Sequence, residues 1–280
     1  MQFGIGEDVM RAAVHGIGVL ASGLEGWDVC REVLAHARPY RRGAVPDPEA
    51  SILPPNERRR SSDCVRWAVQ VAQEAIDQSG LDPREVPTVF ASSGGEMGVF
   101  DQLCRVLASE DRRVSPTLFH QSVHNTAAGY WGIATAGQQS STALSCYDDS
   151  FAAGWLEAMT MVLSEQRAVL LVAYDMAVPA PLNEARPVTE GFAVAFVLGP
   201  PLDGSTMVVR MSLEQANGKE SIISHDQDLE RLRIDNPAAR SLPLLRAIAK
   251  TDQQSVSLAL LGSQQLRLNV ESCRPSTKTN

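Results

Sequence analysis

An α/β protein with a largely buried, mixed sheet is predicted by three observations. Two runs, 168–174 and 191–198, are almost wholly apolar, as strands covered on both faces must be. Amphipathic helical stretches alternate with such runs along the first 200 residues, the pattern of helices packed on a sheet. The chain has 280 residues, 44% of them hydrophobic and 5% aromatic, so it can bury a sizeable core that leans on Ala, Val and Leu.

Taken in order, residues 12–20 read as the first strand. Residues 26–36 follow as a short amphipathic helix with Trp27, Cys30, Val33 and Leu34 on its apolar side. Residues 38–55 carry five prolines and no period, which predicts a loop. The clearest helix is 61–79, where Cys64, Val65, Ala68, Val71, Ala72, Ala75 and Ile76 form one broad face and Gly80 ends it. A buried strand at 87–92 runs into Ser93-Gly94-Gly95, and a second helix spans 96–109. Residues 125–136 form a helical segment rich in small side chains. The strand 141–145 and the helix 151–164 come next, then the two apolar strands. After Gly199-Pro200-Pro201 the texture changes to a strand at 206–213, a polar stretch at 214–233 and a helix near 237–250. A hairpin follows, 255–261 and 265–270 around Gly262-Ser263, and 273–280 is expected to be a disordered tail.

Composition excludes several classes. A net charge of −8 and a pI near 5.2 argue against a nucleic-acid partner, which needs a basic face. The one dense basic run, Arg58-Arg59-Arg60 with Arg41-Arg42 upstream, reads either as a solvated loop or as a docking patch for an acidic partner. No apolar run reaches membrane-spanning length, and Met1 to Gly6 is too short for a signal segment. The five cysteines show no C-x-x-C and no zinc spacing, so no metal or cofactor is expected and a reducing cytoplasm is. His120 and His124 have i, i+4 spacing but no third ligand nearby, and read as packing or interface residues. Gly16-x-Gly18 lacks the remainder of a dinucleotide loop. Trp155, Met159 and Met161 read as helix core.

The chemistry-bearing feature is Cys146. It lies between a strand and a helix, where a thiol meets the positive end of a helix dipole and thiolate is favoured. Asp148-Asp149-Ser150 offers cap chemistry for that helix. The same two aspartates oppose thiolate formation, because nearby negative charge raises a thiol pKa.

Several segments resemble the β-ketoacyl synthases. Val14-His15-Gly16-Ile17-Gly18-Val19-Leu20 is similar to the opening strand of that family. Ala75-Ile76-Asp77-Gln78-Ser79-Gly80-Leu81, leading to Val89-Phe90-Ala91-Ser92-Ser93-Gly94-Gly95, resembles its "D-S-G-L … G-x-G" stretch. Val123-His124-Asn125-Thr126-Ala127-Ala128-Gly129 resembles its "N-x-x-A-G" helix start, and 169–173 and 190–195 match later strands. The resemblance implies a thiolase-like fold, layered α-β-α-β-α, with a complete amino-terminal half at 10–200, a shortened carboxyl-terminal half at 201–272 and the tail. It also places Cys146 on the nucleophile position, where active members read "A-C-x-S-G" and this chain reads Ser145-Cys146-Tyr147-Asp148-Asp149.

A condensing enzyme needs a thiolate, oxyanion donors and basic groups that drive decarboxylation of the extender. The resemblance assigns that basic work to two histidines and a lysine from the carboxyl-terminal half. Here His225 is the sole histidine after Gly199, and the family's "G-T-x-T-x-x-G-D" and "N-x-F-G-F-G-G" segments are not visible. Cys146 therefore reads as a structural thiol at an inherited turn or as a residual acylation site. What the resemblance implies is a divergent chain-length-factor-like subunit, as in aryl polyene clusters, paired with a full-length ketosynthase and served by an acyl carrier protein. Strand 141–145, including Thr142 and Leu144, is then expected at the dimer interface. Met97, Phe100 and Leu103 are expected at the partner's acyl tunnel, and Arg58, Arg59 and Arg60 at the carrier protein. A thiol acyltransferase using Cys146 and a carrier-binding scaffold without influence on chemistry are the alternatives.

Overall fold

A computed structural model describes residues 10–202, 205–223, 225–250 and 253–272. Cys273 and the expected tail lie outside the described residues. One sheet organises the chain. Its strands are β1 (Arg11–Ala21), β2 (Leu24–Glu25), β3 (Thr88–Ala91), β4 (Ser141–Leu144), β5 (Val169–Asp175), β6 (Phe192–Gly199), β7 (Met207–Gln215), β8 (Gln254–Leu260) and β9 (Gln264–Ser272). The order is β4-β3-β5-β6-β1-β7-β9-β8, with β2 on β1. β3 lies parallel to both β4 and β5; the remaining pairs are antiparallel.

Every residue of β3, β5 and β6 is buried, because the sheet is covered on both faces. One face carries Phe90, Leu170, Val172, Ala195 and Val197 and packs on α3 (Asp63–Ser79) and α6 (Thr126–Thr135). The other carries Val89, Leu171, Val194, Phe196 and Leu198 and packs on α7 (Ser150–Glu165). There Phe151, Trp155 and Phe196 interlock with ring centroids 5.2 to 6.1 Å apart. Burial of each such ring contributes roughly 2–3 kcal/mol, and each ring pair about 1 kcal/mol more. Trp155, Met159 and Met161 are core, as their setting predicts.

α3 starts where predicted: the Ser62 hydroxyl accepts from the Val65 N–H at 3.2 Å. Its closeness to β1 explains Gly16-x-Gly18. A Cβ on Gly16 would stand 2.0 Å from the Ala75 carbonyl oxygen, and one on Gly18 would stand 2.1 Å from that of Val71. The two glycines let helix backbone touch strand backbone.

The remaining helices are α1 (Trp27–Leu34), α2 (Pro55–Arg60), α4 (Met97–Ala108), α5 (Pro116–Gln121), α8 (Gln227–Asp235) and α9 (Leu242–Lys250). Three of these differ from the sequence reading. The arginine run sits on the short helix α2 rather than in a loop. The stretch 116–121 is helical. The polar stretch 214–233 contains most of α8, whose cap is Asp226 and whose buried residues are only Leu229, Leu232 and Arg233; its apolar face is too sparse to read from periodicity.

The shortened carboxyl-terminal half is a three-stranded extension, β7-β9-β8. Its inner face (Val209, Met211, Val256, Leu258, Leu266, Leu268) joins the core with α7 and α9. Its outer face carries Arg210, Ser212, Glu214, Ser255, Arg267 and Asn269, with Glu214 and Arg267 paired at 2.8 Å. Shortening therefore leaves a polar outer face, not the exposed apolar surface a loss of covering layers predicts. The polar side of each strand meets water directly.

Candidate functional site

β3, β4 and β5 run parallel, and their carboxyl ends come together. Each supplies one part of the site: the turn Ser92-Ser93-Gly94-Gly95 after β3, Cys146 after β4, and Asp175 at the end of β5. The Ser145 hydroxyl donates to the Ser93 carbonyl at 3.0 Å and ties the first two together.

Cys146 is half-buried and precedes a 3₁₀ turn, Tyr147–Asp149, that leads into α7. Tyr147 has φ 51°, the left-handed backbone of a sharp presenting turn. The Cys146 N–H donates to the Ser150 hydroxyl at 3.0 Å, and that hydroxyl donates to the Tyr147 carbonyl at 2.7 Å. No side chain caps α7: Asp149 holds the cap position without accepting from the first turn, and Ser150 fastens the Cys146 turn instead, while the aspartates make other bonds. Asp148 pairs with Arg186 at 2.5 Å and Arg240 at 3.3 Å. Asp149 pairs with Arg240 at 3.6 Å and accepts from the Leu261 N–H at 2.9 Å. Arg240 also reaches Glu220 at 3.4 Å, and the Arg186 guanidinium lies 3.9 Å over the Tyr147 ring. The two acids lock the nucleophile turn to the carboxyl-terminal half. Local sequence carries no sign of Arg186, Glu220 or Arg240 as their partners.

This setting disfavours the thiolate. Burial first, and then Asp149, pushes the Cys146 pKa above its ordinary value. None of the five histidines hydrogen-bonds to Cys146. His124 Nε2 meets the Ser92 carbonyl at 3.1 Å, His120 lies against Tyr130, and His225 meets His36 edge to face. His120 lies on α5 and His124 beyond its end, so the pair shares no helix. Among the described residues no cluster of three or more His, Cys, Asp or Glu side chains could hold a metal. No helix among them is long and apolar enough to cross a membrane.

Behind the turn lies Asp175, which sequence reasoning missed. Its Oδ1 accepts from the Ser92 hydroxyl (3.0 Å), the Ser93 N–H (2.9 Å) and hydroxyl (3.0 Å), and the Gly94 N–H (3.3 Å). Burial raises its pKa to about 6 against the lowering by these bonds. Beside it opens a cavity of about 620 Å³ lined by Cys64, Trp67, Glu96, Met97 and Glu190 among others. Glu96 accepts from the Ser62 hydroxyl, and burial raises its pKa to about 7.

The structure separates the three α4 residues. Met97 lines the cavity, whereas Phe100, 50% exposed, and the half-buried Leu103 lie on the outer surface beside exposed Leu107. β4 is an edge strand paired only to β3, and Thr142 and Leu144 are half-buried on it. α6 is apolar nearly all round, and its outer side shows Gly129, Gly132 and Ile133, the last 51% exposed. Arg59 and Arg60 are exposed and Arg58 half-exposed; Arg58 donates to the Glu49 carbonyl and Arg59 to the Asn56 side chain.

The profile of the family described as "Beta-ketoacyl synthase, N-terminal domain" matches residues 35–260. Similar solved structures carry the same fold. A ketosynthase (ApeO) in complex with its chain length factor (ApeC) from Xenorhabdus doucetiae aligns at 22% identity and TM-score 0.71, over 92% of this chain and 99% of that one. The ishigamide ketosynthase/chain length factor aligns at 10% identity and TM-score 0.72, over 94% and 100%. A type II polyketide acyl-carrier protein complex with its ketosynthase, AntDE:AntF, aligns at 12% and 0.71, over 94% and 99%. No curated protein sequence matches the chain.

Proposed function

The chain belongs to the β-ketoacyl synthase family, and from that premise we propose that it is a non-condensing, chain-length-factor-like subunit. It pairs with an active ketosynthase and shapes that partner's acyl or polyene tunnel. One observation carries the reading. A thiol with a raised pKa and no base stands beside an uncovered strand edge and an outward apolar helix face. A chain whose thiol is disfavoured as thiolate, yet which keeps apolar surface open to water, suits a partner that supplies the chemistry. Residues 10–200 form the synthase-like unit in this reading, and 201–272 its abbreviated second half. The four free thiols among the described residues agree with work in the cytoplasm.

Co-expression with a condensing ketosynthase tests it. The two chains are expected to elute as one heterodimer, and the chain alone to show no malonyl-dependent elongation. Elongation by the single chain would overturn the proposal. Within the pair, Cys146→Ala is expected to leave product formation unchanged, and intact-mass analysis to find no acyl adduct on Cys146; a stable adduct lost in the variant favours the acyltransferase reading. Phe100→Ala is expected to shift products of the pair towards longer chains while changing stability by less than about 0.5 kcal/mol, since the ring is exposed. An unchanged product distribution removes Phe100 from the tunnel. Arg58, Arg59 and Arg60 are proposed to dock the acidic carrier protein. Replacing all three with Ala should weaken carrier binding, most at low salt, without lowering the melting temperature.

A further inference from the structure

Away from the nucleophile turn, the end of α1 and the start of α8 border a second cavity of about 400 Å³. Its floor is apolar and buried: Val33, Leu34, Ile223 and Leu229. Its rim is basic: His36, Arg38, His225 and Arg246. His36 is set in place by the end of α1, where it takes φ 63° and its N–H donates to the Val33 carbonyl at 3.1 Å. Its ring meets that of His225 edge to face, centroids 5.7 Å apart.

The rim holds a single acid against these four basic side chains. Asp226 is the one carboxylate lining the cavity, and its Oδ1 already accepts from the Asp228 and Leu229 N–H groups at 3.0 Å each. Among the described residues, no ion pair engages Arg38, Arg246 or either imidazole, and the buried Arg246 Nε has no hydrogen-bond partner. The chain holds 33 acidic against 25 basic residues, and Arg233, Arg240 and Arg267 each hold a carboxylate. Two guanidinium groups and two imidazoles gathered at one cavity without an ion pair run against that composition. Burial, and then the charges of Lys250, Arg246 and His225, lower the His36 pKa while Asp226 opposes them. An anion arriving there relieves the repulsion.

We propose that this cavity binds a small organic phosphate, its dianionic head among Arg38, Arg246 and the two imidazoles and its apolar body on the floor. Planar guanidinium groups grip phosphate oxygens in pairs, and several cations suit a dianion better than a single carboxylate. The volume is that of a small-ligand site.

Phenyl phosphate is the probe, titrated into the full chain by calorimetry and by imidazole proton NMR. It is expected to saturate, to move the His36 and His225 resonances, and to leave those of His15 and His120 in place. Inorganic phosphate, without the ring, should bind about tenfold more weakly. Arg38→Gln and Arg246→Gln should each weaken phenyl phosphate about tenfold, whereas Arg113→Gln, on a distant exposed loop, should not. Arg38 is exposed, so its variant keeps the test sound even if Arg246→Gln fails to fold. Absence of saturation overturns the proposal, as does equal weakening in Arg113→Gln. Benzoate binding as tightly as phenyl phosphate overturns the choice of a dianion.

Discussion

Asp175→Ala is expected to lower the melting temperature by about 5 °C, equivalent to about 3 kcal/mol. One carboxylate oxygen collects four donors from the turn that launches α4, and none has a second acceptor in reach that the structure shows. Each buried donor left unpaired costs about 1–3 kcal/mol, partly recovered when the turn opens to water. Asp175→Asn keeps an acceptor oxygen and is expected to lose markedly less. Because the turn sets where α4 begins, Asp175→Ala should also spoil product-length control in the reconstituted pair more than Asp175→Asn does. Thermal melts of the two variants decide the matter: equal losses would mean that charge, and not the acceptor, holds the turn.

Glu96→Gln is expected to act in the opposite direction, and only above mildly acidic pH. Burial raises the folded-state pKa of Glu96 from 4.5 to about 7. The native state therefore binds a proton that the unfolded state has released between those values. The associated stability is fully present below pH 4.5 and is lost as pH rises through about 7. At pH 8 the wild type carries a penalty of about 3 kcal/mol that the neutral amide lacks, so the variant should melt about 5 °C higher there. At pH 4 the two should melt together. Asp175, raised to about 6, titrates in the same direction and is common to both proteins, so it cancels in the comparison. A variant less stable than wild type at pH 8 would show that the Ser62–Glu96 hydrogen bond outweighs the buried charge.

Much of the fold was legible because burial on two faces leaves a simple mark. β5 and β6 are apolar at every position, and α3 repeats its apolar residues at helical spacing, so neither depends on distant partners for recognition. The Cys146 turn was legible for the same reason: a short strand and a helix bracket it. α8 was not, since only three of its nine residues are buried. Nor was the fate of Asp148 and Asp149. A carboxylate at a helix start is equally able to cap the helix or to reach a remote guanidinium, and Arg240 stands 92 residues from Asp148. Asp175 was not singled out, because its donors belong to the turn after β3, 81 to 83 residues earlier.

By itself the sequence determined the α/β class, the positions of all described strands but the short β2, those of α1, α3, α4, α6, α7 and α9, the thiol at a presenting turn and the scarcity of histidine in the carboxyl-terminal half. Those properties follow from local spacing and composition. Only the tertiary structure decided what the charged groups do: two aspartates neutralised by arginines from elsewhere, a buried carboxylate holding a turn, four unpaired basic groups around one cavity, and a polar back on the shortened half. Charge interactions act through space over a few ångströms and carry no period along the chain, so folding alone brings their partners into view.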